Sequence, residues 1–416
     1  MKNILFSPLS YLSIALGLIT INTPSVTALE LAPDATDIDR KLNELVTMSG
    51  GPPGAVVVIQ RGNRVMLHTA GVANIQTQRQ IESTDYMRIA SVAKAFSGAV
   101  SLSLVNQGLL SLDDTIGERL PNLPQAWADV TLRQLLNHTS GLPDFSQSEA
   151  FIEALLNSLT VPVPPSELLE FVANEDLEFE PPGSQYQYSN SDNIAVALMI
   201  EAVTGRTYEE MLQERVFAPL GLTQTSLPVG AILPTPFIHG YNVQTQPPED
   251  VSEVVAAGWA WASGGIVSTP SDLNQFIRGY ASGQLFGADI QAQQFQFIPR
   301  ASSQPPGPGT NSAGLAIFRY ETRCGTVYGH TGNTLGYTQF AAATSDGQRS
   351  VVVSINGQIT PQSDPDNFAK LRSIEEDAVC AALAPIPESS SALPLLGFGL
   401  LGLYCAFKQE SANSVV

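Results

Sequence analysis

Ser91-Val92-Ala93-Lys94 sets a hydroxyl and an amine one helical turn apart, on the same face if the segment is a helix. A lysine desolvated enough to lose its charge can take the serine proton, and a helix N-terminus beneath Ser91 would stabilise negative charge developing there. Chance alone supplies a Ser-x-x-Lys in about half of chains with this composition, so the motif needs company. Tyr188-Ser189-Asn190 is one companion. A tyrosine near a cationic lysine can serve as phenolate or proton shuttle, and an asparagine can hold a substrate amide through donor and acceptor together. Ser191-Asp192-Asn193 overlaps it as a competing motif. The Tyr188 reading is preferred, because Ser191 or Asp192 reads as the cap of a helix running through Ile194 and Leu198. The third element is Gly329-His330-Thr331-Gly332, followed by Asn333. A strand carrying a hydroxyl and a flanking glycine can pair with an extended substrate while its next N–H faces an oxyanion.

The elements that must position these residues follow from hydropathy periods and turn residues. Asp37 to Met48 places Ile38, Leu42, Leu45 and Val46 on one helical face. Ala55–Gln60 and Arg64–Ala70 read as a hairpin turning at Arg61-Gly62-Asn63, and Ser91 to Gln107 reads as a helix. Residues 110–258 are punctuated by proline and contain helix-like stretches such as Leu132–Leu136, Glu167–Ala173 and Ile194–Val203. Strand texture returns at Leu315–Tyr320, Thr326–Gly329, Gln339–Thr344 and Ser350–Ile355, before a last helix over Asp366–Leu383. Helix and strands at both ends of the body predict a two-domain α+β fold. Residues 37–109 and 259–384 would build an antiparallel sheet flanked by the N- and C-terminal helices, with 110–258 as a mostly helical insertion.

Composition narrows the chemistry. Lys plus Arg is 20 against 39 Asp plus Glu, a net charge of −19 over 416 residues. Nucleic acid is therefore excluded as a partner, and so is a polybasic membrane-surface role. The four His are scattered and no Cys-x-x-Cys occurs, so neither a metal nor any other cofactor is expected. Residues 1–28 read as a secretory signal, with Lys2, an apolar run from Ile4 to Ile21 and small residues before Leu29. Export would put the chain in the periplasm, in the envelope or outside the cell. There the two body cysteines, Cys324 and Cys380, could pair; Cys405 lies in an apolar tail. That tail, within 385–416, runs apolar from Ala392 to Phe407 and ends at Lys408. It resembles the PEP-CTERM sorting signal, although Ser389 stands where that signal has Pro. The resemblance implies anchoring at a membrane or processing by a sorting protease. The tail's Gly397-x-Gly399-x-x-Gly402 has no preceding strand and reads as small residues in a membrane segment, not a dinucleotide loop.

Taken in order, Ser91/Lys94, Tyr188/Asn190 and His330–Asn333 resemble the serine β-lactamase-related superfamily over roughly residues 37–384. Leu135–Pro143, Leu112-Asp113-Asp114 and Ala262–Thr269 resemble its supporting stretches. The resemblance implies an acyl-enzyme on Ser91, with Lys94 as base and Tyr188 passing a proton to the leaving amine. Asn190, His330, Thr331, Gly332 and Asn333 would bind substrate, and the N–H groups of Ser91 and Asn333 would hold the oxyanion. His138 would be structural. Many relatives carry Lys at position 330, and His there resembles the D-alanyl-D-alanine carboxypeptidase and D-aminopeptidase branch. The expected substrate is a small peptide or β-lactam, foremost a D-Ala-D-Ala peptide whose carboxylate an imidazolium at His330 would meet. Esterase, D-aminopeptidase and β-lactamase activities on one scaffold are the alternatives, with a catalytically idle binding protein as an alternative of another class.

Overall fold

The computed structural model describes residues 35–385. The signal segment over 1–28 and the apolar tail from 386 onward lie outside the described residues. Among those residues, no helix is long and apolar enough to cross a membrane.

Eight strands form one antiparallel sheet. They are β1 (Gly54–Arg61), β2 (Arg64–Gly71), β3 (Ile298–Pro299), β4 (Thr310–Ala313), β5 (Phe318–Thr322), β6 (Gly325–Thr334), β7 (Tyr337–Ala343) and β8 (Arg349–Ile355). Their order is β2-β1-β8-β7-β6-β5-β4-β3, so a strand from the start of the body pairs with the last one. Val57 stands opposite Val353 in that central pairing, and alternate residues then face opposite layers.

The helices that matter for the site are α1 (Ala35–Thr47), α2 (Ala93–Asn106), α3 (Leu132–Leu136), α4 (Glu149–Asn157), α5 (Asn190–Thr204), α6 (Pro270–Ala281) and α7 (Pro365–Leu383). Ala55, Val57 and Ile59 pack with Ile38, Leu42 and Leu45 of α1 and Leu371 and Ile374 of α7. Val56, Val58 and Val352 face the other way, into a cluster shared with Phe96, Leu132, Ile194 and Phe276. Burial on both faces explains why the first strand reads as an unbroken apolar run and not an alternating one. One apolar cluster thus joins the sheet to the helices between β2 and β3. The fold is α+β.

Strands β1, β2, β6, β7 and β8 lie close to the expected segments, β5 starts three residues later than expected, and the short β3 and β4 were not expected. The helix expected to be capped by Ser191 or Asp192 instead begins at Asn190. Its cap is Ser189, whose hydroxyl accepts from the Ser191 N–H at 3.2 Å. Glu167–Ala173 falls in a 3-10 helix over Pro165–Val172, a tighter coil than expected behind Pro164-Pro165.

Candidate active site

Ser91 sits in a single 3-10 turn, Ala90–Val92, that runs directly into α2. The residue before it, Ala90, is held at φ 49°, a left-handed conformation costly for a side chain with a Cβ. β6 presses on this turn. A Cβ added at Gly332 would lie 2.4 Å from the Ile89 carbonyl oxygen and 3.2 Å from the Ser91 nitrogen, so only glycine lets the strand approach. The turn that leads into α2 is therefore clamped between a short helix, Trp261–Gly264, and β6.

Lys94, on α2, is buried, with 1% of the residue exposed. Its Nζ lies 3.0 Å from Ser91 Oγ, 2.7 Å from Asn190 Oδ1 and 2.8 Å from the Ser263 carbonyl oxygen. Among the described residues no carboxylate pairs with it directly. Burial lowers its pKa to about 7, while the more distant charges of Asp144 and Asp192 pull upward. A substantial fraction of Lys94 is thus neutral near pH 7, with a lone pair available to the serine hydroxyl.

Tyr188 and Asn190 bracket the cap of α5. The Tyr188 ring centre stands 5.0 Å from Lys94 Nζ, and its buried hydroxyl has no hydrogen-bond partner among the described residues. Burial pushes this phenol well above its ordinary pKa. It is a proton donor at neutral pH, not a resting phenolate. Asn190 is held at both ends: its Oδ1 accepts from Lys94, and its Nδ2 donates to Asp144 Oδ2 at 3.0 Å and Ser146 Oγ at 2.9 Å. The competing motif is structural. Ser191 Oγ accepts from the Phe145 N–H and donates to the Pro143 carbonyl, Asp192 binds His138 and Ser140, and Asn193 donates to Ser97. His138 is buried at φ 58° with Nδ1 2.7 Å from Asp192, and burial lowers its pKa to about 3.

β6 corrects two expectations, at His330 and at Thr331. It lies inside the sheet, and its pairing with β5 stops at Gly329, which leaves His330–Thr334 paired only to β7. His330 is fully buried behind the site and does not line it. Its Nδ1 donates to the Thr331 carbonyl, Nε2 has no partner among the described residues, and Phe318 packs edge-on with ring centres 5.0 Å apart. Desolvation lowers its pKa to about 3, so the imidazolium expected to meet a substrate carboxylate does not form at neutral pH. Thr331 is also absent from the cavity wall. Its hydroxyl is engaged by Ser303 Oγ at 2.6 Å and the Pro305 carbonyl at 2.7 Å. Gly332 contributes closeness, as above. Asn333 does line the cavity. Its side-chain amide is tied to Thr338, Ile359 and Gln358, which leaves the backbone as its contribution to a ligand.

Ser91, Tyr188, Asn190 and Asn333 converge on a cavity of about 520 Å³. Asp144, Ser146 and the Ser263 carbonyl belong to the site as well, although no sequence reading singled them out. Asp144 follows directly on the Leu135–Pro143 stretch, and Ser263 lies inside another stretch already noted; adjacency to those stretches was the available signal. Cys324 and Cys380 form a disulfide that ties the β5–β6 turn to α7. No cluster of three or more His, Cys, Asp or Glu among the described residues is arranged to hold a metal ion. What the arrangement can do is transfer an acyl group: serine as nucleophile, neutral lysine as base, phenol as donor.

Known proteins show the same scaffold. The beta-lactamase family profile matches residues 38–376. Penicillin-binding protein 4* of Bacillus subtilis is 25% identical over 324 residues, 73% of this chain and 68% of that protein. A D-aminopeptidase of Brucella anthropi is 34% identical over 177 residues, 42% of this chain but only 33% of the aminopeptidase's own length. Among solved structures, a D-stereospecific amidohydrolase from Streptomyces sp. superposes with a TM-score of 0.70 at 27% identity, covering 82% of this chain and 98% of that one. With that match running almost the length of the folded body, over a Ser91–Lys94–Tyr188 geometry fit for acyl transfer, the chain belongs to the beta-lactamase family.

Proposed function

We propose that this protein is an exported serine hydrolase that opens amide bonds of D-amino-acid-type substrates through an acyl-enzyme on Ser91. The observation that carries the reading is Lys94, buried and with a pKa lowered to about 7, within 3.0 Å of the Ser91 hydroxyl. Lys94 takes the serine proton as Oγ attacks the carbonyl. Tyr188 passes a proton to the leaving amine, and water then releases the acyl group. The D-specific class is supported by the likeness to a D-aminopeptidase and to a D-stereospecific amidohydrolase. The Cys324–Cys380 disulfide supports export, since such bonds persist in oxidising compartments. Anchoring or sorting through the apolar tail remains part of this proposal.

A D-alanyl-D-alanine carboxypeptidase is the second reading, favoured by the likeness to penicillin-binding protein 4*. The neutral state of His330 weighs against it, because a terminal carboxylate would find no imidazolium there. A pair of substrates separates the two: a D-Ala-D-Ala peptide with a free carboxylate and its C-terminal amide. Comparable kcat/KM for both, together with preference for D- over L-aminoacyl amides, is expected. A tenfold or greater preference for the free carboxylate would replace the amidase reading with the carboxypeptidase one.

A further inference from the structure

Among the described residues that line the cavity over Ser91, Arg88 is the one cation and no carboxylate occurs, in a chain with a net charge of −19. Its Nε donates to the Ser252 carbonyl at 3.1 Å, and its Nη2 to the carbonyls of Ala231 at 2.7 Å and Val255 at 3.0 Å. All three partners are neutral. The other amino group, Nη1, has no partner among the described residues and is not sealed from solvent. Glu253 is the acid whose charge reaches this guanidinium, but it stands beyond ion-pair distance, with its Oε1 on the Leu233 N–H at 2.7 Å. An arginine keeps its charge across the working range of pH. The wall therefore holds a part-buried cation that carbonyl dipoles solvate and no counter-ion neutralises.

Position along β6 decides which part of a substrate meets that charge. Tyr188 stands at the His330 end, with 6.4 Å between ring centres. Gly332 touches the Ser91 turn in the middle. Arg88 lies past the other end. The segment over 251–255 that binds it packs on the β6–β7 turn, where a Cβ on Gly336 would lie 3.0 Å from Val251 Cγ2. Leu335 of that turn, Val251 and Val255 line the cavity together with Arg88. A substrate carbonyl at Ser91 whose leaving amine takes a proton from Tyr188 thus sends its acyl part towards Leu335 and Arg88. This path offers hydrocarbon to an alkyl stem and a positive charge at its end.

We infer that Arg88 anchors a carboxylate on the acyl side of the site, so that the amides opened by Ser91 are those of acidic D-amino acids, D-glutamyl or D-aspartyl. The inference rests on the acyl-enzyme reading above and narrows its substrate class. A terminal carboxylate on the leaving group is a separate matter, since it would lie at the Tyr188 end beside a neutral His330. On the acyl side the carboxylate accepts from Nη1 and supplies the counter-ion that the wall lacks. A charge-assisted bond to a part-buried guanidinium favours the acid over its uncharged amide by about tenfold or more.

The test compares p-nitroanilides that share one leaving group and differ only in acyl charge: D-glutamyl against D-glutaminyl, and D-aspartyl against D-asparaginyl. The larger of the two acid-to-amide ratios of kcat/KM should reach about tenfold. Arg88→Gln removes the charge and keeps a donor, and in protein that melts cooperatively the ratio should fall to about one. Glu253→Gln leaves the bonds of Arg88 untouched and keeps an oxygen for the Leu233 N–H. By removing the competing charge it should raise the ratio about twofold. Ser91-dependent turnover with ratios of about one or less for both pairs overturns the subsite and leaves the acyl-enzyme reading standing. A ratio that persists in folded Arg88→Gln, or one that Glu253→Gln fails to raise, overturns the assignment to Arg88. Absence of Ser91-dependent turnover of every substrate in the set overturns both readings.

Discussion

The proposed nucleophile, Ser91, depends on a lysine that the fold buries. Its own ionisation should therefore be visible in the rate. Protonated Lys94 cannot accept the serine proton, so kcat/KM for a neutral ester should fall as pH drops below about 7 and level off above it. Asp144 acts on that ionisation twice, by its charge, which raises the lysine pKa, and by holding Asn190 so that its oxygen faces Nζ. Asp144→Asn removes the charge while keeping a side chain of the same shape. The acid limb should then move to lower pH; a limb that stays in place would mean that Asp144 has no electrostatic hold on Lys94. At this scale the sequence was informative about which residues carry a hydroxyl, an amine and a phenol. It misled about His330, expected as an imidazolium facing a carboxylate, because burial that neutralises an imidazole is a property of Phe318 and the strand around it, not of the motif.

Elements set the distances. β6 reaches the turn under Ser91 only because position 332 has no side chain, so Gly332→Ala should push strand and nucleophile apart. A misplacement near 1 Å costs on the order of 100-fold in rate. The expected result is a folded enzyme that melts below wild type, because the added carbon meets backbone, with acylation reduced about 100-fold or more. Wild-type acylation in that variant would show that strand contact does not position Ser91. The cap of α5 offers a contrasting pair. Tyr188→Phe removes a proton donor and should lower turnover by about 100- to 10,000-fold. Ser191→Ala instead strips the Phe145 N–H and Pro143 carbonyl of a buried partner, costing about 1–3 kcal/mol of stability with a smaller effect on rate. The reverse order, read from melting and steady-state rates, would return catalysis to the Ser191 motif. Strand positions along β1, β6, β7 and β8 were legible from apolar runs and turn residues. The start of α5 was not, since Ser189, Ser191 and Asp192 are all good cap residues and only tertiary bonds to Ser140, Phe145 and His138 choose among them.

Across the described residues, the two ends of the body, far apart in sequence, meet in one sheet, as β1 pairs with β8 and α1 packs beside α7. The recurrence of strand texture at both ends made that closure legible. The continuity of the apolar cluster between the sheet and the intervening helices was not, because nothing in a hydropathy pattern says which face meets which. The disulfide spans 56 positions and fastens α7 to the turn that begins the catalytic strand. A Cys324→Ser, Cys380→Ser double variant should lose about 2–4 kcal/mol of stability, read as an earlier denaturant midpoint. Its ester hydrolysis at low temperature should survive, since neither sulfur lines the cavity. An unchanged midpoint would show that the bridge does not constrain the unfolded chain.

The most direct test of the account is to trap the intermediate and locate it. The protein is incubated with a fluorescent penicillin or a slow p-nitrophenyl ester, quenched in acid, digested and mapped by mass. The acyl group should sit on Ser91, accumulate more slowly by orders of magnitude in Lys94→Ala, and be absent in Ser91→Ala. An adduct on any other residue, or one that still forms in folded Ser91→Ala, would contradict it.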